Sequence, residues 1–287
     1  MGLGIQGTLR GVLGNRDRQI MAAVFANRFL TTYLTYRVEA FSEKRFYDYY
    51  EDLGRTGAYS KTVSRASVSL GQHMRRLGIL SLKLGAENIR LLPIEGMSTP
   101  VEKLTLVHLT LRSEVDTRDR IPFPEAGKHH ILEYEYSARF LGSKTGYYRL
   151  FTKMESYYPV WKGVVFHSRL CWGTSDMTTP FAKRFPLGGL NSFMGLPEKA
   201  QVGRRYICSN LEVRARIPWP KWIDAYASLR YDFGGIWERY AKISTQDFKH
   251  GIGAVLSLHT PLGPVSAGYG RMSDGYSRFY FSAGTQF

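Results

Sequence analysis

The 287-residue sequence predicts an all-β chain, an antiparallel β-barrel of about fourteen strands that crosses a membrane with its strands. Three observations carry this. Apolar and polar residues alternate with a period of two along most of the chain, which is the strand period. No run of about 18 apolar residues exists to build a membrane helix. The end of the chain places Phe279, Phe281, Ala283, Thr285 and Phe287 on one side, and Arg278, Tyr280, Ser282, Gly284 and Gln286 on the other. A soluble protein seldom finishes on such a strand, because a free apolar edge templates aggregation. In a transmembrane barrel the edge is paired, the greasy face meets lipid and the polar face meets a watery lumen.

Composition agrees. Aromatics make up 14% of the chain and 29 residues are Gly, as interfacial girdles and a bending sheet require. The net charge of +15 would ordinarily suggest nucleic acid as a partner, but the basic residues form no run. Arg214 and Arg216 alternate with Val213, Ala215 and Ile217, and Arg139 is expected to share a face with Glu133 and Glu135, opposite Leu132, Tyr134, Tyr136, Ala138 and Phe140. Charges so placed line one side of a sheet, and nucleic acid is not expected. Two cysteines, Cys171 and Cys208, make neither a disulfide framework nor a zinc site, and pair with each other or stay free. Met1 leads into GLGIQG without a signal peptide, so the expectation is a mature form, a fragment or an organellar protein.

In chain order, Gly2, Gly4 and Gly7 match a dinucleotide fingerprint, but no strand precedes them and Leu3, Ile5 and Leu9 alternate with Gln6, Thr8 and Arg10. The segment reads as a strand. After the turn at Gly14–Arg18 come strands at Gln19–Asn27 and Phe29–Phe41. Ser42–Ser60, rich in Tyr and charge, reads as a long loop or an extended hairpin tip. Strands follow at Ser60–Gly71 and Leu77–Asn88, then a loop at Leu92–Pro100, and strands at Val101–Val115, His130–Phe140, Gly146–Tyr157 and Gly163–Trp172. Near the end, Ile252, Ala254, Leu256 and Leu258 alternate with small or polar residues up to the breaker Thr260–Pro264. No linker interrupts the pattern, so residues 1–287 are expected to form one barrel domain, with a closing strand at 276–287.

The 176–204 region breaks the rhythm. Its Met177–Arg204 stretch holds four glycines and the apolar Phe181, Phe185, Leu187, Leu190, Phe193, Met194 and Leu196. So greasy a loop is expected to fold inward against something.

Three stretches, in order, resemble the C-terminal barrel of the BamA/TamA superfamily, which inserts or translocates proteins at outer membranes. FAKRFPLGGLNSFMGL is similar to the family's sixth extracellular loop. LRYDFGGIWER, with Asp232, Gly234, Gly235 and Trp237, is similar to the strand against which that loop's tip packs. GIGAVLSLHTPLGPVSAGYG and FYFSAGTQF are similar to the closing hairpin and the C-terminal signal strand, with Phe279, Phe281, Gly284 and Phe287. The resemblance implies sixteen strands and a tip of Gly188, Gly189, Phe193, Met194, Gly195 and Leu196 packed in the lumen. The position of the family's tip arginine carries Met194, so the resemblance leaves Asp232 needing another cation, and Arg230, Arg214 and Arg216 are the candidates. Barrels of patatin-like proteins, and members lacking periplasmic domains, are similar in the loop and in TPLGPVSAGYG.

Chemistry is not expected in this chain. No GxSxG elbow occurs, and any hydrolase activity is expected in a passenger domain outside these residues. His129 and His130 point to opposite faces of a strand, and His167 beside Ser168, a conceivable Ser-His nucleophile pair of an outer-membrane phospholipase, reads instead as a lumen-lining histidine. No catalytic residue, metal ligand or cofactor is assigned. The leading expectation is an outer-membrane barrel, bacterial or organellar, acting in protein translocation, membrane-protein assembly or anchoring of a patatin-like passenger. Its expected partners are the lipid bilayer, a passenger or substrate protein, and other subunits of an outer-membrane complex. The alternatives are a passive porin-like channel and a soluble basic β protein binding nucleic acid.

Overall fold

A computed structural model describes residues 4–14, 16–26, 32–74, 78–96, 99–218, 223–239, 247–261 and 263–284. Among these the chain makes sixteen strands. Fourteen follow chain order in an antiparallel sheet and two short ones pair with each other. The chain divides into two compact units, one of residues 1–115, 131–151 and 174–184, the other of 116–130, 152–173 and 185–287. Among the described residues no helix is long and apolar enough to cross a membrane.

The first unit holds β1 (Ile5–Leu13), β2 (Asp17–Ala26), β3 (Leu34–Glu51), β4 (Gly54–His73), β5 (Ile79–Glu95) and β6 (Glu102–Asp116), each paired antiparallel with the next. The Ser42–Ser60 segment is the tip of one long hairpin. Asp52 and Leu53 take φ of 46° and 65°, and this two-residue turn matches the right-handed twist of its strands. Alternation then sorts the side chains. One face carries in-register rows such as Ala22, Ala40, Ala66 and Ala86, beside Val24, Val38, Val68 and Leu84. These valines and Leu84 are exposed, as apolar rows facing lipid must be. The other face is polar and paired, with Arg45 on Asp17 at 2.9 Å and Arg65 on Glu39 at 3.2 Å. Near one end of that polar face Tyr47, Tyr59, Val63, Ile89, Leu91, Leu106 and Tyr147 form a buried cluster.

β7 (Gly127–Ser137) and β8 (Tyr147–Trp161) each contribute one part to each unit. β7 ends before Arg139, which lies on a 3-10 turn, Arg139–Leu141, closed by Gly142 at φ 96°. The expectation that Arg139 shares a sheet face with Glu133 and Glu135 is therefore corrected. The period of two continues through Arg139 in sequence, but the turn rotates it off the strand.

The second unit holds β9 (Val164–Ser175) as far as Gly173, the short hairpin β10 (Phe185–Leu187) and β11 (Gln201–Gly203), then β12 (Arg205–Ile217), β13 (Asp224–Trp237), β14 (Lys249–Thr260), β15 (Gly263–Met272) and β16 (Ser277–Ala283). From β12 to β16 each strand pairs with the next. Leu229, Ile252, Leu256, Phe279 and Phe281 crowd one exposed face, Phe279 reaching 81% exposure. Cys171 and Cys208 are buried, unbridged thiols on the other.

Candidate functional site

The loop between β9 and β12 is the feature to which the polar sheet face is shaped, and each unit seats part of it. In the second unit β10 and β11 close its base, Phe185 opposite Gly203. Beyond them Gly188 and Gly189, at φ 120° and 100°, turn the chain through a conformation closed to other residues. The N–H of Gly189 bonds the Leu196 carbonyl at 3.1 Å, so residues 189–196 fold back as a compact tip. Phe193, Met194 and Leu196 are fully buried there.

Asp232 on β13 anchors this tip. Its carboxylate accepts the backbone N–H of Met194 at 2.6 Å, the Asn210 amide at 2.6 Å, and the Arg230 Nε and Nη2 at 2.8 and 2.7 Å. Alternation puts Arg230 and Asp232 on one face of β13, and register puts Asn210 of β12 opposite Asp232. The Ser192 carbonyl is a second hub, accepting from Asn210 at 2.7 Å, Arg169 at 3.4 Å and Arg230 at 3.5 Å. Arg230 also reaches the Leu190 carbonyl at 2.5 Å. The carboxylate is wholly buried, and paired cations and donors are what make a buried charge tolerable. Of the candidate cations, Arg230 stands on Asp232. Arg216 pairs with Asp224, and Arg214 reaches the Pro124 carbonyl among the rings of Phe123, Tyr157 and Tyr226.

Glycine makes the room. On β14 and β15 the polar face carries Gly251, Gly253, Gly268 and Gly270. A β-carbon at Gly251 would lie 2.6 Å from the Met194 carbonyl oxygen and one at Gly270 2.7 Å from the Gly195 nitrogen, while one at Gly253 would overlap the Met194 thioether. Gly195 itself, at φ 93°, backs onto Met272. From β16 the Tyr280 hydroxyl donates to the Leu196 carbonyl at 2.7 Å.

The rest of the motif on β13 serves the strand itself. A side chain at Gly234 would strike the backbone of Ile207, and one at Gly235 the ring of Trp237, which stands edge-on to Phe248 at 5.4 Å. Phe279 stacks at 4.7 Å beside Tyr269 on the exposed apolar face with Phe281, and the Gly284 N–H caps Pro264 at 2.9 Å. Phe287 lies outside the described residues.

In the first unit the same loop begins with a 3-10 turn, Phe181–Lys183. Glu102 takes the N–H groups of Phe181 and Ala182 at 2.8 and 2.9 Å, and Lys61 donates to the Ala182 carbonyl at 2.8 Å. Phe181 packs edge-on against Tyr49 and Tyr59. Lys183 bridges the buried carboxylates Glu87 and Glu135, the second at 3.1 Å. Glu102, Lys183, Asn210, Arg169 and Tyr280 escape a reading of the sequence, because each is an ordinary polar strand or loop position until register sets it opposite its partner.

His167 makes no nucleophile pair with Ser168. It bonds Glu212 at 3.0 Å and stacks on Tyr157 at 4.3 Å.

A family model, the Omp85 superfamily domain, matches residues 1–287. Among solved structures, a BamA from Haemophilus ducreyi lacking POTRA domains 1–3 is similar over 99% of this chain, with a TM-score of 0.77 at 17% identity. CdiB from Escherichia coli and CdiB from Acinetobacter baumannii are each similar over 92% of it, with TM-scores of 0.64 and 0.60 at 14% identity. These likenesses show the fold, an outer-membrane β-barrel, to which this chain brings the fourteen-stranded sheet and the separate β10–β11 hairpin. The chain spans 65% of the BamA structure and 52% and 48% of the two CdiB structures. Comparison with curated proteins gives no match.

Proposed function

The chain belongs to the Omp85 superfamily, and on that premise we propose that it is the barrel of a protein-assembly or translocation machine in a bacterial outer membrane. One observation carries this reading. The loop tip is held on the sheet by a removable set of polar bonds centred on Asp232, over a bed of glycines rather than interlocked side chains. A plug meant only to narrow a pore has no need of so specific a seat. A docked tip keeps the passage shut and leaves when a substrate polypeptide competes for the wall. The partners on this reading are the bilayer, an unfolded or passenger polypeptide, and further subunits of an outer-membrane complex.

The test uses the full-length protein, taken from its own membrane and reconstituted in vesicles with an unfolded outer-membrane barrel as substrate. Faster insertion of the substrate by the wild-type protein, together with a low steady conductance that rises in Asp232→Ala, supports the proposal. Unchanged insertion together with large steady conductance overturns it in favour of a passive channel.

A further inference from the structure

Most arginines on the polar face of the first unit sit on acids, but the exposed face leaves one row of cations without a carboxylate. Arg18 of β2 stands opposite Lys44 of β3, Lys44 opposite Thr62 of β4, Thr62 opposite Arg90 of β5, and Arg90 opposite Lys103 of β6. All four basic residues are exposed. Among the described residues none has a carboxylate partner, and Lys44 lies only over the Phe46 ring at 5.5 Å. By contrast Arg45, Arg65 and Arg112, on the other face of the same strands, all sit on acids.

Like charges directly opposite one another across a strand pair repel. Here that happens twice, at Arg18 with Lys44 and at Arg90 with Lys103, in a row that strand spacing makes about 19 Å long. Anions above the row relieve that repulsion.

The rows beside it say what kind of anion. Next along the strands comes a polar row of Ser42, Ser64, Asn88 and Thr105, where the Thr105 hydroxyl bonds Asn88 at 2.9 Å. Then comes the alanine row, Ala22, Ala40, Ala66 and Ala86, a shallow groove floored by methyl groups. Cations, hydrogen-bonding groups and a smooth apolar trough follow in the order phosphate, ester or amide linkage, and acyl chain.

We propose that this face of β2 to β6 is a binding site for a net anionic membrane lipid whose charge lies on phosphate. Its phosphates sit across Arg18, Lys44, Arg90 and Lys103, and its acyl chains lie along the alanine row. Thr62, at the centre of the basic row, leaves space for the headgroup between the two cation pairs. The site rests on the membrane reading of the apolar face and is independent of how substrate polypeptides are handled.

The test is native mass spectrometry of the full-length protein in neutral detergent. The probes are phosphatidylglycerol, phosphatidylcholine and a bisphosphorylated diglucosamine lipid. The expected result is at least tenfold preference for a phosphate-charged lipid over phosphatidylcholine, weakening as salt rises to about 0.5 M. Arg90→Gln with Lys103→Gln should cost about twentyfold in that binding, while Lys162→Gln, on the turn between β8 and β9, should cost nothing. Selective binding of the diglucosamine lipid alone would identify a glycolipid site, and binding of phosphatidylglycerol as well a general anionic-lipid site. Both support the proposal. Equal binding of all three lipids, or a preference unchanged in the double variant, overturns it. Should the double variant fail to fold, the wild-type preference and its salt dependence decide. Because insertion of a protein substrate is measured separately, loss of lipid selectivity leaves the assembly reading standing, and the reverse.

Discussion

Arg230 and Asp232 form an ion pair within one strand, two residues apart on the same face, with Nη2 to Oδ2 at 2.7 Å and no part of the loop between them. The sheet thus neutralises its own buried carboxylate; to that carboxylate the loop adds the backbone N–H of Met194, and its Leu190 and Ser192 carbonyls take the remaining donors of Arg230 and Asn210.

Removing one member of that pair strands the other. Asp232→Ala should cost about 3–5 kcal/mol, and the double variant Asp232→Leu with Arg230→Met markedly less than the sum of the single changes. Chemical unfolding of the detergent-solubilised protein measures all of these, and additive losses would show that the pair is not coupled.

Met194→Arg restores a basic side chain at the tip but meets Arg230 already on the carboxylate. Alone it should loosen the tip and open residues 189–196 to protease. Combined with Arg230→Met it should recover protection, since the new guanidinium then inherits Asp232. Limited proteolysis of the two variants distinguishes these outcomes.

Gly253→Val places a side chain where the Met194 thioether sits. Overpacking of this kind costs about 1–3 kcal/mol, and here the loop should give way before the sheet. Single-channel recording should show raised steady conductance. Gly7→Ala, with open space around its β-carbon, is the control and should change conductance little.

At the other seat, Lys183→Met leaves Glu87 and Glu135 buried without their cation. The expected loss is about 3–5 kcal/mol of stability, read from thermal unfolding. A loss below about 1 kcal/mol would mean that the carboxylates find water or another partner.

Tyr280→Phe deletes only the hydroxyl that holds the Leu196 carbonyl. It should cost about 0.5–1.5 kcal/mol and raise hydrogen exchange at the tip. Unchanged exchange would free β16 from any part in holding the loop.

How far the sequence could be read follows from what each feature depends on. Alternation is a local property, so β14 is legible from Ile252 to Leu258 and β16 from its phenylalanines. The Asp52–Leu53 turn is not, because Asp52 suits positive φ but Leu53 stands where glycine is the usual residue. β10 and β11, three residues each, are too short to show a period. The tip and the acidic strand are visible as separate motifs. That Asn210 falls opposite Asp232, and that Arg230 rather than Arg214 or Arg216 holds it, depends on register across strands, which no spacing along one strand encodes.

The bare stretch of β14 and β15 has one more consequence. A strand takes much of its strength from side chains that pack across it, and four glycines give none on that face. While the tip is seated, its apolar residues keep that backbone dry. Once the tip lifts, water reaches the polar side of the ladder while the apolar side stays against lipid, and the hairpin loses the packing it had there. On the assembly reading, undocking of the tip and loosening of this hairpin are coupled, because one set of contacts serves both.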